Sequence, residues 1–195
     1  MGEETRVTRI TETLRIQDQQ TRNHLWSIYD RAFEKLNTRT PIHHGAFTKA
    51  EFDGILQDPD FIKFLIYVDN EVGGVCLITA AIEKIPWINA GYFQQRYPEL
   101  YDKRKIFFLP AAVIAPEHQG LRLIGAKLLG HAITSIGKDG ILVADYSETL
   151  RHGLPAFVQR ALGETFQGEV LDRQIYEIFY DQPPRNRPFL LNNRI

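Results

Sequence analysis

The sequence predicts a mixed α/β (α+β) domain: a central mixed sheet of about six to seven strands flanked by about four helices. Three observations carry this. The hydrophobic period switches repeatedly between about 3.6 and 2 residues along the chain. A long helix with one apolar face is followed at once by a short, almost fully apolar strand, the pattern of a crossover onto a parallel neighbour. The length of 195 residues suits one core.

Arg6 to Ile16 mixes Val, Ile, Leu and Thr in loose alternation, which suggests a strand with one polar face. From Gln19 to Leu36, the positions of Leu25, Ile28, Tyr29, Ala32, Phe33 and Leu36 predict an amphipathic helix. Pro41, His43, His44 and Gly45 read as a loop. A second helix follows from about Thr48 to Gln57, with Thr48 and Glu51 spaced as a capping box. Phe61 to Val68 and Val72 to Ile82 predict an antiparallel hairpin around Asp69-Asn70-Glu71. Between Glu83 and Lys105 lies an insert rich in Pro, Gly and Tyr, with room for a short helix. Ile106 to Ala115 is another strand; Pro110 cannot donate to a ladder, so this strand lies at an edge or is bulged there.

After Glu117-His118-Gln119-Gly120 comes a long helix with Leu123, Ile124, Leu128, Leu129, Ala132, Ile133 and Ile136 on its buried side, flanked at its end by Gly137 and Gly140. Ile141 to Tyr146 is the short apolar strand. A last helix, Leu154 to Leu162, and two strands, Thr165 to Val170 and Gln174 to Tyr180, complete the series. The chain therefore reads as one domain over 1–195, with an insert at about 84–104 and an irregular tail at about 182–195.

Composition excludes several classes of function. With 44% hydrophobic and 24% charged residues the chain is globular rather than disordered. Lys plus Arg total 23 against 24 Asp plus Glu, a net charge of -1, so no global field attracts nucleic acid or an anionic membrane. Any anion must be held locally. The single Cys76, inside an apolar run, forms neither an internal disulfide nor a multi-cysteine metal site, and a reducing cytoplasm suits it. The acidic Met1 to Arg6 segment reads as neither signal nor transit peptide, and no run approaches the roughly 18 apolar residues of a membrane span.

The element order, with a strand ending in Ile114-Ala115-Pro116-Glu117-His118-Gln119-Gly120 that feeds a helix through Ile124-Gly125-Ala126-Lys127-Leu128-Leu129, resembles the GNAT N-acetyltransferase superfamily over nearly the whole chain. The resemblance implies a central cleft where two strands splay apart. It also implies acetyl coenzyme A as co-substrate, no metal, and transfer of acetyl to a primary amine of a small molecule or protein. Dimers are common in that superfamily. Its signature, an Arg or Gln followed by Gly and further small residues, opens the central helix. A helix N-terminus offers unpaired N–H groups to a pyrophosphate, and glycines allow close approach. Gln119, Gly120, Leu121, Arg122, Gly125 and Ala126 take those places. The segment is one residue longer than the usual signature, and Leu123 stands where a glycine is usual; a rival register begins at Arg122. Val113 and Ile114 are the implied backbone partners of the pantetheine arm, and Pro110 marks the implied bulge.

Acetyl transfer needs a group to take the amine's proton and a donor for the developing oxyanion. Glu83, at the end of an apolar strand beside the insert, is one candidate base; Asp145 and Tyr146 at the end of the strand flanking the implied thioester are others. Many members place a Tyr acid on the last helix, where this chain has Gln159. His43, His44 and Trp87 are candidates for the acceptor site. No cluster has metal-ligand spacing, and no Gly-x-Ser-x-Gly elbow occurs. Two alternatives stay open: a catalytically silent acyl coenzyme A-binding module, and a transferase for longer acyl groups served by an aromatic channel of Trp87, Tyr92 and Phe93.

Overall fold

The structure, a computed structural model, describes residues 8–37, 47–119, 124–136 and 140–145. Its elements are β1 (Thr8–Thr13), α1 (Gln19–Asn37), α2 (Lys49–Gln57), β2 (Phe61–Val68), β3 (Glu71–Thr79), α3 (Ala90–Arg96), α4 (Pro98–Asp102), β4 (Ile106–Ile114), α5 (Ile124–Ile136) and β5 (Ile141–Val143). The five described strands form one sheet in the order β1-β2-β3-β4-β5. The first three pairings are antiparallel and β4–β5 is parallel, so the sheet is mixed as expected. The expected last helix and last two strands lie outside the described residues.

Local chemistry explains the boundaries. Asp69 and Asn70 form the hairpin turn with φ of 50° and 71°, a left-handed pair that short polar side chains tolerate and that matches the twist of the strands. Glu71 is already in β3, opposite Val68. β3 ends at Thr79, earlier than the apolar run suggested, because Ile82–Lys84 turns into a 3-10 helix. The capping box of α2 is present: Glu51 N–H donates to Thr48 Oγ1 and Thr48 N–H donates to Glu51 Oε2. The insert contains two short helices rather than one, the first capped by Asn89 and the second opened by Pro98.

The sheet is covered on both faces. α1 and α2 pack Leu25, Ile28, Tyr29, Phe52 and Leu56 on Leu65, Val75, Leu77, Ala111 and Val113. On the other face α5 sets Ile124, Leu128, Leu129, Ala132 and Ile133 against Phe64, Ile66, Cys76 and Ile78. The insert closes the end of the sheet through Ile82, Ile85 and Phe93 on Phe61, Ile106 and Phe108. Each fully buried large side chain adds about 1.5–3 kcal/mol of hydrophobic stabilisation. β5 is shorter than the expected Ile141 to Tyr146, and its three residues are half-buried among the described residues. No described helix is long and apolar enough to cross a membrane.

Two charged side chains are buried among the described residues, Arg22 and Lys63, and Lys63 is the one within the sheet. Lys63 of β2 is fully buried, and its Nζ donates to the carbonyls of Leu14, Asp58 and Phe61. It ties the end of β1 to the α2–β2 connection. Burial pushes its ammonium down to about 8, against the opposing pull of Asp58. Between pH 8 and its ordinary 10.5 the unfolded chain therefore binds the extra proton, so this group's contribution to stability rises with pH through that window. Lys63→Met is expected to lower urea-unfolding stability by about 2 kcal/mol at pH 7, because three enclosed carbonyls lose their donor. The gap to the unsubstituted protein should widen by pH 10.

Candidate active site

The site begins with a loss of pairing. β5 runs beside β4 only from Ile106 to Phe108, opposite Ile141 to Val143. Beyond Phe108, β4 continues to Ile114 with β3 on one side and no described strand on the other. The divergence coincides with an irregularity: Leu77 pairs with Ala111 but Thr79 pairs with Phe108, so β4 carries one extra residue around Leu109 and Pro110. Pro110 is thus at a bulge within the sheet and not at its edge.

Register decides which backbone groups the open side receives. Ala115 N–H donates to the Gly73 carbonyl at 2.8 Å. Alternate residues of an antiparallel ladder bond the same neighbour, so Val113 turns its backbone groups to β3 while Ala112 and Ile114 turn theirs to the open side. The Ile114 carbonyl accepts a hydrogen bond from Gln119 Nε2 at 3.0 Å. Gly73 and Gly74 let this end of β4 sit close. A Cβ on Gly74 would lie 2.5 Å from the Val113 carbonyl oxygen, and one on Gly73 would lie 2.8 Å from His118 Cδ2. A 3-10 turn, Pro116–His118, leads out of the strand, with His118 Nδ1 buried and without a hydrogen-bond partner among the described residues. Glu117 pairs with Arg31 of α1 at 3.3 Å across this turn. Gly125 and Ala126 lie in the first described turn of α5, and Lys127 beside them is exposed. Gly120, Leu121 and Arg122 lie outside the described residues, so neither register of the loop is distinguished.

Aromatic side chains gather at the point of divergence. The Trp87 ring lies 5.3 Å from that of Phe47 and 6.4 Å from that of Phe108, the last β4 residue paired to β5. Phe47 N–H donates to the Tyr29 hydroxyl oxygen at 2.9 Å, which anchors the approach to α2 on α1. Burial pushes the Tyr29 phenol up to about 12; the Phe47 bond opposes this and the Asp145 carboxylate adds to it. Asp145 lies two residues past the end of β5. Glu83 is elsewhere. It pairs with Arg104 at 2.8 Å where β4 begins and lines a separate hollow of about 220 Å3 with Tyr101 and Asp102. Glu83 and Asp145 thus lie at opposite ends of β5 and are not brought together. His43, His44, Tyr146 and Gln159 lie outside the described residues.

Tyr29 and Phe47 escaped the sequence reading because an aromatic at a buried helical spacing looks like any other core residue. Ala112 escaped it because the parity of β4 depends on the bulge. Among the described residues, no three His, Cys, Asp or Glu side chains are grouped to hold a metal.

Known structures share this architecture. An aminoglycoside acetyltransferase from an uncultured soil metagenomic sample, crystallised with sisomicin, superposes with a TM-score of 0.54 at 14% identity, over 87% of this chain and 95% of that one. An aminoglycoside N-acetyltransferase in complex with coenzyme A gives 0.50 at 13% identity, over 90% and 99%. The chain shares the fold of these two acetyltransferases. No protein-family model matches the sequence, and no curated protein matches it. The point after Phe108 at which β4 and β5 part is where the resemblance implies a splayed cleft.

The close approach of β3 and β4 is testable by adding one methyl. Gly74→Ala should lower stability by about 1–3 kcal/mol in urea unfolding, because β4 must move from Val113 onward. Gly54→Ala in α2, where an added Cβ meets nothing within 4 Å, should instead raise it by up to about 1 kcal/mol.

Proposed function

We propose that this chain is an acetyl-CoA-dependent N-acetyltransferase that moves an acetyl group to a primary amine of a small molecule or protein. The observation that carries the reading is the open side of β4 beyond Phe108, in a GNAT fold. Three features of the chain suit coenzyme A. Ala112 and Ile114 offer strand-like backbone groups to an extended amide-bearing arm. The buried His118 Nδ1 has no described partner beside the segment that opens α5. The Gly73-Gly74 pair removes side chains where the strand and the following turn crowd together. When bound, acetyl coenzyme A supplies an activated thioester carbonyl.

The chain's own residues account for the remainder. We assign Asp145 as the carboxylate that takes the proton of the attacking amine, since it follows the end of β5 at which that strand parts from β4, whereas Glu83 lies beside Arg104 where β4 begins. Tyr29 is a positioning residue: through Phe47 it holds the aromatic wall of Phe47 and Trp87 against Phe108. Direct attack by the amine is favoured over a covalent acetyl-enzyme on cysteine. The one cysteine, Cys76, is buried in β3, and burial pushes its thiol up to about 12, so it supplies no thiolate. A thiol kept protonated and a lone cysteine both suit a reducing compartment.

Saturating acetyl coenzyme A should raise the melting temperature measurably, as any ligand selective for the folded state must; no shift would overturn the reading. Release of free thiol with a panel of primary amines then separates a transferase from a silent binding module. Asp145→Asn is expected to reduce kcat/KM by about 10²–10⁴-fold. Glu83→Gln should stay within about twofold, the scale of an exposed ion pair.

A further inference from the structure

Gln119 is exposed in the turn after β4, but its side chain folds back onto the strand. Its Nε2 donates at 3.0 Å to the Ile114 carbonyl, one of the two residues whose backbone groups face the open side. In a closed sheet that oxygen would accept from the next strand. β5 has left the ladder at Phe108 and no described strand supplies that donor along this stretch; a side-chain amide takes its place.

We propose that Gln119 is a placeholder for the coenzyme A arm: its amide occupies the Ile114 carbonyl while the cleft is free and is displaced when an amide of the pantetheine arm donates there. This rests on the coenzyme A reading above and adds to it a specificity-determining side chain. The exchange is of like for like, one N–H donor for another on the same oxygen. A flexible, exposed glutamine loses little when it turns to water, so the cleft stays satisfied in both states without closing on itself. The displacement concerns only the arm. The nucleotide half of coenzyme A has no amide to place on β4, so a placeholder leaves its binding unchanged, whereas a Gln119 that contacted the pyrophosphate instead would alter the binding of both ligands.

The test is calorimetric titration of the full chain with coenzyme A and, separately, with its nucleotide half, the phosphorylated adenosine diphosphate without the arm. Gln119→Met keeps the length and loses the donor, and Gln119→Ala removes the side chain; thermal unfolding of both checks that they fold. Removing the competing bond should tighten coenzyme A by about two- to tenfold and leave the nucleotide half unchanged. Weaker or unchanged binding of coenzyme A by both variants, or an equal change for the two ligands, would overturn the placeholder and leave the acetyltransferase reading standing. If the unsubstituted protein binds neither ligand, the coenzyme A reading fails and the placeholder with it.

Discussion

The extra residue that β4 carries near Pro110 is the constraint on which the rest of the molecule depends. A regular β4 would continue to pair with β5, and a continuous sheet has no backbone group to spare. Proline prevents one ladder bond by having no N–H, and the bulge re-aims the strand just where β5 stops following it. The outcome is an open edge inside the molecule instead of at its rim. An edge is normally a liability for aggregation. Here α1 and α2 cover one face and α5 the other, so the backbone groups that no described strand pairs lie between covered faces.

Holding such an edge open requires support on its other border. β3 provides it through the glycine pair, which brings β4 close at Val113 and lets the 3-10 turn fold over Gly73. The aromatic group of Tyr29, Phe47, Trp87 and Phe108 does the corresponding task at the closed end, joining α1, the approach to α2, the insert and β4. The insert is therefore part of the wall at the point of divergence and not a peripheral decoration.

Much of this was legible in the chain itself, for reasons that can be named. Periodicity read α1 correctly because its apolar positions fall on one face, and the Thr48–Glu51 spacing marked the start of α2 because the capping box is local chemistry. Asp69-Asn70 announced the hairpin since few other residues accept its dihedrals. Pro110 signalled either an edge or a bulge, and only long-range pairing distinguished them. The place of each carboxylate was not legible: Glu83 and Asp145 both follow apolar runs, and only the structure shows that Glu83 is tied to Arg104 where β4 begins. Lys63 gave a faint signal, a lone charge on the same alternating face as Phe61 and Leu65, but its three carbonyl partners come from separate segments.

That lysine has a further chemical meaning wherever acyl thioesters are present. An amine with a lowered pKa is the more nucleophilic one near neutrality, and so the more readily acylated by accident. Lys63 would be such an amine if it met solvent. Enclosed at 0% exposure behind its three carbonyls, it is out of reach of any thioester while the chain is folded. The contacts that fasten the end of β1 to the start of β2 thereby also protect the one lysine whose modification would cut the fold loose at that corner.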